Sequence, residues 1–213
     1  MNTMKEQTVS EIAYHHPQSY RVFSRYNIDF CCGGKRKLAE ICDEKSISID
    51  EFISDLEELE AQQNEEEDWS KLTQAELVQH IVETHHDYLR EDLPRLHQLA
   101  QKVARVHGNR DPHLLDVLSV FRKMASELLD HLEKEEQVLF SLVIEAEKKG
   151  VTDPRVLMPI KVMESDHEDT GADLEALAKL TGNYEIKPGM CNSYQALYNG
   201  LKALEKDTMI HIH

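Results

Sequence analysis

Twelve histidines are spread along the 213 residues, and four of them fall where a helical seam turns inward. Apolar residues spaced alternately by three and four set the register of four seams. The first reads Val78, Val82, His86, Leu89, Leu93, Leu96, Ala100 and Val103. The second reads Leu114, Val117, Phe121, Met124, Leu128, His131, Glu135, Val138 and Leu142. The third runs through Val156, Ile160, Met163, His167, Thr170, Leu174 and Leu177, and the last through Met190, Tyr194, Leu197, Leu201, Leu204, Thr208 and His211. Each seam holds one histidine. His80, His85, His97 and His213 fall off them, so periodicity selects His86 over its neighbour His85.

The four histidines also agree in depth. His86 precedes the turn near residue 107 by 21 residues and His131 follows it by 24. The matching intervals are 20 and 16 around residue 151, and 19 and 25 around residue 186. At roughly 1.5 Å of rise per residue, antiparallel helices bring all four imidazoles to about one level. Glu135 follows His131 by four and leaves the same face. A carboxylate in a bundle core is costly unless it is paired or metal-bound. One seam histidine alone reads more readily as a satisfied core residue, but four at one level with a carboxylate read as a metal site. Histidine and carboxylate on facing helices are the donor set of a di-iron bundle centre, and mixed N/O donors suit iron or manganese better than structural zinc. Glu127, four before His131, and Asp166, beside His167, are candidates to support the ligands from behind, or else solvated helix charges.

The elements that must position these groups are helices. Glycine (8) and proline (6) are scarce, while Leu, Glu, Lys and Ala abound, which favours helix throughout. Four segments are expected, roughly Leu72–Val103, Pro112–Lys148, Pro154–Leu180 and Pro188 to the end, with short connections that make an antiparallel bundle. Residues 1–62 read as a small helical domain with Ser10 and Asp50 as caps and Pro17 opening a second helix. Residues 63–71 read as an acidic linker, and 72–213 as the bundle. The net charge of −16 argues against nucleic acid and anionic membrane surfaces as partners. The apolar runs are too short to span a bilayer. The N-terminus lacks a signal-peptide pattern, and a reducing cytoplasm is expected.

A second signal is the run Asp29–Lys37, which holds Cys31 and Cys32. Thiols just before a basic helix beginning near Lys35, beside Arg36 and Lys37, would have a lowered pKa and suit redox or metal transfer. The bland alternative is a tight glycine turn. A Cys31–Cys32 disulfide would be strained and labile. Cys42 and Cys191 read as small core residues.

The segment Y-N-I-D-F-C-C-G-G, followed by H-H-D-Y-L-R-E-D-L-P, H-L-E-K-E-E-Q-V-L-F and V-M-E-S-D-H-E, resembles the iron–sulfur cluster repair di-iron proteins over nearly the whole chain. The resemblance implies an all-α fold, a hemerythrin-like up-down-up-down four-helix bundle preceded by a small helical N-terminal domain of ScdA type. It implies two non-haem iron ions, oxo- or carboxylate-bridged, on His86, His131, Glu135, His167 and His211. The role it implies is repair of clusters damaged by nitrosative or oxidative stress, through iron donated from a labile centre. Damaged iron–sulfur proteins would be the clients and nitric oxide or oxygen the small ligands. Whether Cys31 and Cys32 join two chains as a homodimer, pass electrons or receive iron stays open. The family's last helix carries a second His-x-x-x-Glu. From His211 that Glu falls at position 215, past His213, so a truncated C-terminus is expected, with one bridging carboxylate beyond it. Two other functions compete: a nitric oxide reductase or scavenger at the same site, and an oxygen-binding carrier or sensor. The cysteines weigh against a plain carrier, and whether the chain is an enzyme is left open.

Overall fold

The computed structural model describes residues 4–16, 19–26, 28, 30, 34–61 and 69–213. Cys31, Cys32, Pro17 and most of the expected linker lie outside them. The chain divides into two compact units, one of the residues up to Leu72 together with Met209–His213, the other of Thr73–Thr208.

The first unit contains four short helices, α1 (Val9–His15), α2 (Tyr20–Arg25), α3 (Leu38–Lys45) and α4 (Ile49–Ala61). Thr8 caps α1 where Ser10 was expected. Its hydroxyl accepts the Glu11 N–H at 3.2 Å, and the Glu11 carboxylate accepts the Thr8 N–H at 2.8 Å, a reciprocal capping box. Ser48 accepts the Glu51 N–H at 3.3 Å at the start of α4, while Asp50 sits inside the first turn and pairs with Lys5. α3 opens at Leu38 because Lys37 is extended and bridges to Thr8. Arg36 and Lys37 are engaged by Glu44 and Glu6 at 2.6 and 2.7 Å, so two of the cations counted toward lowering a thiol pKa are ion-paired. Phe23 packs on Phe30 and Phe52, with centroids 5.7 and 5.2 Å away, amid Ile12, Leu38 and Leu56.

The second unit is built from four long helical segments. α5 (Gln74–Ile81) passes through a π-helical turn, Val82–His86, into α6 (Asp87–His107). α7 (His113–Lys134) passes through another, Glu135–Leu139, into α8 (Phe140–Lys149). α9 (Leu157–Thr181) and α10 (Asn192–Ile212), the latter as far as Thr208, complete it. α7 packs against both α6 and α9. Thr73 and Glu76 form a capping box at the start of α5, and the Glu147 carboxylate of α8 accepts the Gln74 and Ala75 N–H groups at 2.7 and 3.1 Å. Gly182 closes α9 in the left-handed region at φ 63°, which costs glycine little.

The seams are buried as their periodicity predicts through most of their length: Leu89, Leu93, Val117, Phe121, Leu128, Leu174, Leu201 and Leu204 form one core. Two seam positions depart. Val138 is 47% exposed and Ile160 38% exposed. Val138 lies in the π-turn, whose extra residue rotates the helix beyond it, so Phe140 takes the inward place. Ile160 lies in the first turns of α9, which leave Leu157 and Met158 exposed as well. Cys42 is buried, and burial pushes its thiol up. Cys191 is exposed, against expectation, its Sγ 3.2 Å from His107 Nε2. No helix among the described residues is long and apolar enough to cross a membrane.

α6 and α10 meet closely at Gly200, where a Cβ would stand 2.4 Å from Leu96 Cδ2. Leu96 is fully buried and has little room to yield. A Gly→Ala change inside a helix ordinarily gains about 1 kcal/mol. Here the overlap should reverse that sign, and Gly200→Ala is expected to cost about 1–3 kcal/mol, partly recovered by adding Leu96→Val. Denaturant unfolding of the three variants checks this. A Gly200→Ala protein more stable than the parent would contradict the close approach.

Candidate metal centre

In a π-turn the backbone hydrogen bond spans five residues, as in Asp87 N–H to the Val82 carbonyl and Phe140 N–H to the Glu135 carbonyl. Each turn therefore carries one residue more than an α-helical turn, and neighbouring side chains fan over a narrower arc. Both turns fall on predicted site residues. In the first, His85 and His86 are both buried, at 5% and 0% exposure. In the second, Glu135 is 6% exposed, and Glu136 follows it toward the same imidazole.

Two groups of donors result. His131, Glu135 and His167 offer atoms all within 4.8 Å of one another, and so do His86, Glu135 and His211, the last on the final turn of α10. Glu135 belongs to both. Its Oε2 stands 3.2 Å from His86 Nε2 and 3.5 Å from His131 Nε2. His131 and His167 bring their Nε2 atoms to 3.1 Å, with ring centroids 4.8 Å apart. Two ring N–H groups cannot face each other at that distance, so at least one of these nitrogens presents a lone pair.

The outer nitrogens repeat one pattern. His86 Nδ1 lies 2.6 Å from Glu136 Oε1, which Arg90 holds at 2.9 Å. His131 Nδ1 lies 3.4 Å from Asp166 Oδ2, which Lys134 holds at 2.9 Å. An Nδ1–H donated to each carboxylate would leave Nε2 with its lone pair, the arrangement that prepares an imidazole for a metal. Phe140 stacks on His86 at 5.6 Å between centroids. Asp166 thus serves His131 rather than its neighbour His167. Glu127 lies on the exposed face, its carboxylate on Lys123 at 3.0 Å. Sequence reasoning passed over Glu136 and the pair His85–Asp207, joined Nδ1 to Oδ1 at 2.9 Å. The doublets His85-His86 and Glu135-Glu136, two polar residues where a seam admits one, were the available signal.

Burial alone would lower the His131 pKa, but the Glu135 and Asp166 carboxylates outweigh it and raise it above the ordinary imidazole value. Glu136 is held below its usual range by His86 and Arg90, and Asp166 by Lys134 and His131, in each case against burial. In metal-free protein the His131 proton therefore contributes stability that is complete below the unfolded value of about 6.5. That contribution is lost as pH rises through the higher folded value. Denaturant midpoints measured across this range should fall with rising pH, and His131→Gln should flatten the trend. An unchanged slope in the variant would contradict the assignment.

Comparison with known proteins places these observations in a family. The profile of the hemerythrin HHE cation binding domain matches residues 77–213, and that of an N-terminal domain of unknown function, ScdA_N, matches residues 5–60. A probable iron-sulfur cluster repair protein of Haemophilus influenzae is 37% identical over 211 residues, 98% of this chain and 92% of that protein. The iron-sulfur cluster repair protein YtfE of Pectobacterium atrosepticum is 35% identical over 209 residues, with the same coverage of 98% and 92%. YtfE of Escherichia coli is 36% identical over 208 residues, again covering 98% and 92%. The chain therefore belongs to the hemerythrin HHE cation-binding family, in the two-part form with an ScdA_N domain that includes the iron–sulfur cluster repair proteins.

Proposed function

We propose that the chain holds two iron ions on His86, His131, Glu135, His167 and His211 and donates iron to iron–sulfur clusters damaged by nitrosative or oxidative stress. The observation that carries this reading is the shared carboxylate: one buried Glu135 common to two imidazole groups. A carboxylate between two N-donor groups suits a pair of adjacent ions bridged by oxygen. Relatives that are iron-sulfur cluster repair proteins support the cluster-repair role, and damaged iron–sulfur proteins in the cytoplasm are the proposed clients.

Iron is the cargo here, and the chain's own residues control how it is held and let go. Glu136 and Asp166 fix the inner lone pairs of His86 and His131 toward Glu135. Arg90 and Lys134 hold those two carboxylates in place. Among the described residues, His86 and His211 with Glu135 would hold one ion, and His131 and His167 with the same Glu135 the other. The Glu135 and Asp166 carboxylates raise the His131 pKa, so a proton would compete with a cation for its lone pair.

The test is direct. Iron-loaded and metal-free protein are each added to a cluster enzyme inactivated by nitric oxide, and activity recovery is followed. Recovery with the loaded form alone is the expected result. Equal recovery with both would defeat the donor role, as would nitrous oxide formed over many turnovers without recovery, which would move the function to nitric oxide reduction.

A further inference from the structure

The bundle carries a polar concavity at a distance from the imidazole cluster. His113 precedes His131 by 18 residues on α7, about 27 Å along the axis at roughly 1.5 Å per residue. A cavity of about 560 Å³ opens there, between the start of α7, the end of α9 and the approach to α10. Its size lies within the range of small-molecule sites.

Its charge runs against that of the chain. The whole sequence has 40 acidic residues to 24 basic, yet the cavity is lined by Arg110, Lys179 and Lys187 with Asp111 as the one carboxylate among its lining residues. Each cation is exposed and, among the described residues, paired with a carboxylate near it in sequence: Asp111 at 3.3 Å, Glu175 at 2.6 Å and Glu185 at 3.7 Å. Exposed pairs of that kind are weak and exchange readily for another anion.

The lining also includes a polar cluster. Tyr194 and Tyr198 are 2% and 1% exposed, and their hydroxyls lie 3.2 and 3.1 Å from His113 Nε2. The two hydroxyls are 3.5 Å apart. If Nε2 carries the ring hydrogen, the triangle has three donor hydrogens and only two acceptor oxygens. One hydroxyl hydrogen is then left for a ligand. Burial pushes both phenols above their ordinary value, so they stay protonated and face an anion as donors. Leu180 and Met190 give the cavity an apolar wall.

We propose that this cavity binds a small organic oxyanion, a phosphate or carboxylate on a compact body, with Lys179, Lys187 and Arg110 taking the charge and the Tyr194–Tyr198–His113 cluster donating to it. Nothing in the cluster-repair reading requires this site, and the two stand or fall separately.

Calorimetric titration of the full chain with adenosine monophosphate, citrate and inorganic phosphate at low ionic strength tests it. Saturable binding of at least one organic probe is expected, weakened by added salt. The double variant Lys179→Gln/Lys187→Gln should weaken that binding about two- to thirtyfold, the loss expected for two exposed ion pairs. Tyr198→Phe should weaken it as well, with the metal content of both variants unchanged. Preference for adenosine monophosphate identifies a phosphate ligand and preference for citrate a carboxylate. No saturable binding up to millimolar concentration, or affinity unchanged in the double variant, would overturn the proposal.

Discussion

A carboxylate that is 6% exposed, placed between imidazoles, is the constraint around which the bundle is arranged. Burying Glu135 in an apolar core without partners would cost several kcal/mol. The four helices answer that cost by bringing histidines to it. The second π-turn begins at Glu135 and also turns Glu136 toward the bundle, where it takes the far nitrogen of His86. The first π-turn ends at His86 and buries His85 alongside it, where Asp207 of α10 receives its Nδ1. The irregular turns and the polar cluster are thus one feature. Each π-turn gives up regular hydrogen bonding and gains a second inward polar side chain.

Much of this arrangement was legible in the residue pattern. Four apolar seams, each interrupted by one histidine, located the level of the site and its main residues, because leucine and valine spacing sets helix rotation before any contact is known. The pattern failed where the helix itself changes pitch. A repeat of three and four residues has no place for an inserted one, so His85 was read as facing away and Val138 as facing in. Glu136 was missed for the same reason. Helix starts went astray by a different route: Thr8 and Ser10 are both good caps, and only the reciprocal bond from Glu11 chooses between them. Cys191 was read as core because a free cysteine is usually a small buried residue, while the backbone before α10 leaves it at the surface beside His107.

The bundle also separates two kinds of chemistry along its length. One end gathers imidazoles around a buried carboxylate, a set suited to a cation. The other gathers lysine, arginine and buried phenols, in a chain whose overall charge is strongly negative. The middle between them is tightly packed, with Leu96 against Gly200 and Phe121 fully buried.

The central claim is that one carboxylate joins two metal positions. Mössbauer spectroscopy of the iron-loaded chain, beside a Glu135→Ala variant loaded the same way, tests it most directly. The account predicts a magnetically coupled pair of high-spin iron ions in the parent and loss of that coupling in the variant. A single uncoupled iron in the parent, or a variant with the parent's spectrum, would contradict it.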